Sequence, residues 1–257
     1  MSEQKSWQPD VSAIRVVVTG AASGMGEAVA TELARGGAKV ALADLNQEAI
    51  EATAAGLRNE GADILALSGD VADPSVVADW ADRLAAAWGA PTGLVNCAGI
   101  WSDVPVDEID LDEWQRVLDV NLTGILNTCR SFGAQMRGAG GGSVVNFTSL
   151  SGVLGFRRRA AYTAAKHAVI GLTRTLSAEW GADNVRVNAI GPGRFETALA
   201  AGMFDDPARR AEWLKRVPMA RTAEPVEMVG PILFLLTPMS SYVSGAVLMV
   251  DGGFSAS

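Results

Sequence analysis

The sequence predicts an α/β protein, a single domain built on a doubly wound parallel sheet with helices on both faces. Three observations predict it. Short, mainly apolar, β-branched runs alternate with helical stretches from Ile14 onward, and strands that are apolar along most of their length are those buried on both faces. The runs end in residues suited to a ligand crevice, Gly20, Asp44, Asp70 and Asn96. The 257 residues are 49% hydrophobic and contain no Pro- or Ser-rich linker, which suits one large core.

Residues 1–12 are polar and predict a flexible N-terminal arm ahead of a domain at 13–257. Ile14 to Thr19 predicts the first strand. It runs into Thr19-Gly20-Ala21-Ala22-Ser23-Gly24-Met25-Gly26, with a helix to about Arg35. Glycines at a strand-to-helix turn let the backbone approach a ligand closely, and the N–H groups of the helix start offer partial positive charge to a pyrophosphate. Lys39 to Ala43 predicts a second strand that places Asp44 at its end, where a carboxylate can accept hydrogen bonds from the ribose hydroxyls of a dinucleotide. The same carboxylate repels a 2′-phosphate, and the glycine turn has no Lys or Arg to compensate. The expected cofactor is therefore NAD.

Further along, Gln47 to Asn59 predicts a helix, Ile64 to Ser68 a strand, Pro74 to Trp88 a helix and Thr92 to Asn96 a strand. This alternation predicts right-handed crossovers, so the strand ends should rim one crevice. There Asp70 is placed to meet the adenine edge, and Asn96 and Gly99 to line the cofactor's path; each is equally a common turn former. Leu111 to Arg137 reads as one long helical stretch. Asn121 falls in its middle, where an amide competes with backbone hydrogen bonds, so it marks either a local function or a kink.

Chemistry concentrates between Ser149 and Lys166. Tyr162 and Lys166 lie four residues apart in a stretch of helix formers, Ala160 to Leu176, and so share a helical face. Such a spacing also describes an ordinary surface pair. A phenol titrates near about 10, and a cation one turn away stabilises the phenolate. Ser149 ends another apolar run, Ser143 to Thr148, and its hydroxyl could reach the same point. The trio suits proton transfer to or from an oxygen.

The net charge of −8 argues against a nucleic-acid or anionic-membrane surface and leaves small molecules as partners. Two cysteines, Cys97 and Cys129, sit in apolar stretches, which suits a reducing compartment. The N-terminus lacks the apolar core of a signal peptide, and the apolar run Ile232 to Leu236 is too short to span a bilayer, so a cytoplasmic protein is expected. His167 is the lone histidine and lies about 100° around the helix from Lys166, away from the active face. With so few clustered ligands no metal site is expected.

Taken together, Thr-Gly-x-x-x-Gly-x-Gly from Thr19 to Gly26, Asn-x-Ala-Gly from Asn96 to Gly99, the Asn121 segment, Ser149, Tyr-x-x-x-Lys, Pro192-Gly193 and Val250-Asp251-Gly252-Gly253 resemble the short-chain dehydrogenase/reductase family, in the family's order. Cys97 stands where the family often has a second Asn. The resemblance implies a single Rossmann-like domain, often a homotetramer, that interconverts alcohols and carbonyls. It implies that Tyr162 is the acid/base, that Lys166 binds the nicotinamide ribose and lowers the Tyr162 pKa, that Ser149 holds the substrate oxygen, and that Asn121 fixes a water in a proton relay. It also implies cofactor contacts at Gly20, Ser23, Gly24, Met25 and Gly26, at Asp44 with Leu45, at Asp70 with Val71, and at Asn96, Ala98 and Gly99. Further contacts are implied at Pro192, Gly193, Phe195 and Thr197, which follow the strand Val185 to Ile190.

The resemblance also implies that the segment 194–217 caps the substrate pocket, with Phe204 and Trp213 as apolar wall residues, Met203 beside them, and Trp101 and Ser151 contributing from elsewhere. Arg157-Arg158-Arg159 is an unusual run in a loop that should face substrate. An arginine fork could hold an anionic group there; a solvated loop or a subunit contact is the plainer explanation. Arg159 is nearest the catalytic helix. The expected activity is an NAD-dependent secondary-alcohol dehydrogenase or ketone reductase acting on a polyol, sugar or cyclic alcohol. A 3-oxoacyl or hydroxyacyl reductase is the alternative, followed by a non-catalytic dinucleotide-binding regulator.

Overall fold

The computed structural model describes residues 9–197 and 206–257. Seven parallel strands form one sheet in the order β3-β2-β1-β4-β5-β6-β7. They are β1 (Arg15–Thr19), β2 (Lys39–Asp44), β3 (Ile64–Ser68), β4 (Gly93–Asn96), β5 (Gly142–Phe147), β6 (Val185–Pro192) and β7 (Val247–Val250). Among the described residues eight α-helices connect and flank them: α1 (Gly24–Arg35), α2 (Gln47–Asn59), α3 (Pro74–Trp88), α4 (Leu111–Leu118), α5 (Gly124–Gly138), α6 (Ala160–Trp180), α7 (Pro207–Leu214) and α8 (Val229–Leu236).

Burial explains why the strands read as mainly apolar runs. Val16, Val17 and Val18 of β1 are all fully buried; Val16 and Val18 pack into the core on one face of the sheet with α1, α2 and α8, and Val17 into that on the other with α3, α5 and α6. Parallel register, Thr19 beside Ala43 and Asn96, aligns the carboxyl ends of β1, β2 and β4. The strand order reverses between β1 and β4, and ligands of such sheets bind at that switch point.

Two boundaries differ from the sequence expectation. Val11, assigned by composition to a loose arm, is buried in the core, and its carbonyl accepts from the Ile14 N–H at 2.9 Å. The predicted helix from Leu111 to Arg137 is interrupted by a π-helical turn, Asp119–Thr123. Asn121 sits inside that turn, fully buried, and its Nδ2 donates to the Val117 carbonyl at 2.9 Å and to the Ile100 carbonyl at 2.7 Å. The amide thereby ties the widened turn to the loop after β4, so Asn121 marks a break in the helical period.

Candidate active site

Above the switch point lies a crevice of two joined halves, about 1080 and 850 Å³ including their mouths. Both are lined by Met25, Cys97, Gly99 and Thr197. The larger half adds Gly20, Ser23, Gly24, Asp44, Leu45, Asp70, Val71 and Ala98, all predicted cofactor residues. Glycine is required at Gly20, where φ is +69° and an added Cβ would stand 2.8 Å from the Ala98 nitrogen. Gly26 has a different role from the predicted ligand contact. A Cβ there would come within 2.1 Å of the Gly20 carbonyl oxygen, so it lets α1 pack against the turn.

This half fits a dinucleotide. Ser23 begins α1 without a side-chain cap, whereas Asn46, Asp73, Asp110 and Asp206 cap α2, α3, α4 and α7. Apart from that of Gly26, which meets the Cys97 sulfur, the first N–H groups of α1 are thus left for an anion. Asp44 is pinned at the other end, accepting from Ala22 N at 3.1 Å and Asn46 N at 2.9 Å. A carboxylate has about four acceptor positions, so two remain for ribose hydroxyls. Asp70 accepts from Ala72 N at 2.9 Å and pairs with Arg116 at 2.8 Å. Arg116, Ile100 and Val120 also line this half, and no sequence signal marked them.

Asn96 departs from its expected place on the cofactor's path. Its side chain is buried beneath the crevice, donating to Asn146 Oδ1 at 2.8 Å and accepting from Thr128 Oγ1 at 2.7 Å. Asn146 in turn donates to Thr173 of α6 at 3.0 Å. The chain Thr128–Asn96–Asn146–Thr173 links α5, β4, β5 and α6. Thr19, the first residue of the glycine motif but given no role of its own there, accepts from the backbone N–H groups of Cys97 and Ala98 at 3.2 and 3.1 Å and so shapes the turn that lines the crevice.

The smaller half holds Ser149, Tyr162 and Lys166 together with Trp101, Ser151, Arg159, Pro192, Gly193, Phe195 and Trp213. Phe204 and Met203 fall outside the described residues. Ser149 caps the turn Leu150–Gly152 and hydrogen-bonds Tyr162. Lys166 is 3% exposed and donates to the Phe147 carbonyl at 2.9 Å, with its Nζ 5.6 Å from the Tyr162 ring centroid. Thr148 Oγ1 bonds the Lys166 carbonyl at 2.8 Å, which fastens α6 to the end of β5.

Electrostatics modify one expectation. Burial raises the Tyr162 pKa, and the groups that oppose it are Ser149 and Arg159, not Lys166. Burial takes Lys166 itself down to about 8, so its charge is costly where it stands. Burial also pushes the Cys97 thiol up to about 12, which leaves it a neutral wall residue.

The arginine run divides. Arg158, at φ +64°, turns outward to bond Asp103 at 2.7 Å, and Arg157 is exposed. Arg159 turns into the crevice, its guanidinium 4.9 Å from the Trp101 ring and 5.7 Å from that of Phe156. Arg194 lines the same half; the sequence placed it only as the first residue of the expected cap, 194–217, with no role of its own. His167 is exposed on the far side of α6, with Nδ1 2.9 Å from the Thr163 carbonyl. Among the described residues no group of three or more His, Cys, Asp or Glu could hold a metal ion, and no helix is long and apolar enough to cross a membrane.

A doubly wound parallel sheet whose carboxyl edge joins a glycine-turn crevice to a Ser-Tyr-Lys cluster defines a nicotinamide-dependent oxidoreductase, and the chain belongs to the short-chain dehydrogenase/reductase family. A family profile described as Enoyl-(Acyl carrier protein) reductase matches residues 20–255. The chain is 39% identical over 240 residues to D-threitol dehydrogenase of Mycolicibacterium smegmatis, covering 93% of this chain and 92% of that one. It is 40% identical over 241 residues to cis-4-hydroxycyclohexanecarboxylate dehydrogenase of Sinomonas cyclohexanicum, covering 93% and 96%. A crystal structure of a putative NAD(P)-dependent gluconate 5-dehydrogenase from Beutenbergia cavernae, with bound NADP at low occupancy, superposes with a TM-score of 0.92 at 41% identity, over 97% of this chain and 100% of that one. The protein is thus an enzyme that interconverts a secondary alcohol and a ketone.

Proposed function

We propose that the enzyme is an NAD-dependent dehydrogenase of a polyol, sugar or cyclic secondary alcohol, acting in the cytoplasm as a homo-oligomer, with a tetramer expected from its family. The observation that carries the reading is the meeting of Ser149, Tyr162 and Lys166 in a largely apolar half that shares Met25, Cys97, Gly99 and Thr197 with the dinucleotide half. The polyol and cyclic-alcohol dehydrogenases among the relatives point the same way. Asp44 supports NAD, because it takes the place a 2′-phosphate would need. Gly20, Ser23, Gly24 and Met25 hold the pyrophosphate, Asp44 and Leu45 the adenosine ribose, and Asp70 and Val71 flank the adenine. Ala98 and Gly99 line the path to the nicotinamide, and Pro192, Gly193, Phe195 and Thr197 enclose it.

When bound, the nicotinamide supplies the hydride acceptor or donor. Ser149 holds the substrate oxygen, and Tyr162 takes the hydroxyl proton in oxidation or returns it in reduction. Lys166 holds the nicotinamide ribose and adds positive charge beside the phenolate. Asn121 orders the proton path. Its Oδ1 is buried without a protein partner, so it suits a bound water. Trp101, Ser151, Trp213 and Phe204 form the substrate wall.

Initial rates of NAD⁺ and NADP⁺ reduction on a panel of polyols, sugars and cyclic alcohols test this reading, with Tyr162→Phe as the blank. We expect tyrosine-dependent turnover that prefers NAD⁺. A preference for NADP⁺ would overturn the role given to Asp44, and turnover confined to acyl thioesters would favour the 3-oxoacyl reductase alternative.

A further inference from the structure

We propose that Phe254, in the C-terminal turn, is a positioning residue that sets how large an alcohol the enzyme accepts, by holding Trp213 as a partition between the substrate half and a second cavity. The proposal rests on the dehydrogenase reading above and deepens it. The second cavity measures about 590 Å³ with its mouth. Among the described residues, Leu150, Arg194 and Trp213 line both spaces, whereas Ser149, Tyr162 and Lys166 line the substrate half alone and Val217 and Phe254 the second cavity alone. Residues shared by two neighbouring spaces form the wall between them, and Trp213 is the largest of the three.

Trp213 sits on α7, a helix that buries little of itself. Residues 207–212 are exposed, and Trp213 and Leu214 are half-buried. The Arg210–Glu196 pair that joins α7 to the segment after β6 is solvent-exposed, and such pairs hold weakly. Rings from two other parts of the chain fix the plane of the indole. Phe254 stacks on it with centroids 4.6 Å apart and planes 24° apart, and Phe156 with centroids 5.8 Å apart and planes 29° apart. Stacked aromatic rings at these separations attract one another and set each other's orientation.

Phe254 is itself fixed by the turn that carries it. It is 3% exposed, with the Arg216 guanidinium 4.4 Å from its ring centroid. The Asp251 carboxylate accepts from Gly253 N and Ser255 N, both at 2.9 Å, and the Gly252 carbonyl accepts from Met219 N at 3.1 Å. Gly252 and Gly253 have φ of +65° and +89°, and a Cβ on them would stand 2.9 Å from the side chains of Val217 and Pro218 respectively. The turn therefore lies tight against the segment that follows α7. Its other end is tied to the floor of the substrate half, where Gly193 N donates to the Val250 carbonyl at 2.8 Å. The end of the substrate remote from the carbinol meets a wall braced from behind. A single six-membered ring fits in front of the indole, and a second ring needs the space behind it.

The test compares 4-phenylcyclohexanol with cyclohexanol in wild type, Trp213→Ala, Trp213→Phe and Phe254→Leu. The ratio of kcat/KM, large alcohol over small, should rise about tenfold or more in Trp213→Ala, through a lower KM for the large alcohol. Phe254→Leu keeps an apolar filling but removes the flat face, and should raise the ratio about 2- to 10-fold. Trp213→Phe keeps a ring in the stack and should stay closer to wild type than Trp213→Ala. Misfolding lowers both rates together and leaves the ratio unmoved. Calorimetric affinity of 4-phenylcyclohexanone relative to cyclohexanone, on the NAD⁺-loaded protein, gives a second readout; neither partner has a hydride to give, so no turnover is needed. That ratio should shift by similar factors. Absence of turnover on every alcohol would refute the dehydrogenase reading alone, with the binding ratio still deciding the partition. Ratios that Trp213→Ala leaves unchanged would overturn the partition, and ratios that move in Trp213→Ala but not in Phe254→Leu would overturn the role of Phe254.

Discussion

Replacing Lys166 by Met should make the protein more stable at neutral pH while removing its activity. The Lys166 pKa falls from 10.5 to about 8 in the folded state, because burial disfavours its charge. At about 1.4 kcal/mol per tenfold change, that shift means the folded state bears a cost of about 3 kcal/mol wherever the ammonium is charged in both states, below about pH 8. Methionine fills nearly the same volume without charge but leaves the Phe147 carbonyl without its 2.9 Å donor, a loss of about 1 kcal/mol. The variant should therefore gain about 2 kcal/mol at pH 7. Between about 8 and 10.5 the unfolded chain holds a proton that the folded protein has shed, so wild-type stability rises with pH across that window relative to the variant. The advantage of Lys166→Met should vanish by about pH 10. Urea unfolding of both proteins at the two pH values measures this, and kcat/KM measured in parallel should fall on the order of a hundredfold or more. A variant less stable than wild type by the same amount at both pH values would show that the ammonium is not a strained charge.

Two further outcomes follow from the same residues. Ser149 helps hold down a tyrosine pKa that burial raises, so Ser149→Ala should move the alkaline-rising limb of the oxidation rate to higher pH as well as lower its plateau; a pH–rate profile of kcat/KM reads both, and an unmoved limb would contradict the Ser149–Tyr162 bond. Thr173→Val strips the Asn146 amide of its 3.0 Å acceptor inside the core and should cost about 1–3 kcal/mol in denaturant unfolding, while the isosteric volume spares the packing.

How much was legible in advance differs by the kind of physics involved. β1 to β6 could be read to within about two residues because strands buried on both faces are apolar along most of their length, with only scattered polar residues such as Asn146 and Asn188 to blur the pattern. β7 was not singled out: it is a four-residue edge strand, half-buried along its whole length, and its pattern is correspondingly weak. The π-helical turn was hidden because one wider turn barely disturbs a helical period, and only Asn121 hinted at it. Ser149, Tyr162 and Lys166 meet because α6 lays its face along the end of β5, which follows from spacing alone. The direction in which a strand-end residue faces does not: Asn96 points down into the core, whereas Asp44, of equally turn-like character, points up into the crevice. Arg194 could be placed only at the start of the expected cap, and not as a wall residue in its own right, for a related reason, since its position depends on how the backbone after β6 is held by β7.

The buried chain Thr128–Asn96–Asn146–Thr173 has a consequence for descent. Each side chain satisfies the next, so replacing one by an apolar residue strands its neighbour, at about 1–3 kcal/mol, whereas replacing all four with shape-matched apolar residues can be nearly neutral. A lineage crossing between those two solutions one step at a time must pass through less stable intermediates. These four positions should therefore be inherited as a block, varying together or not at all among descendants of this enzyme.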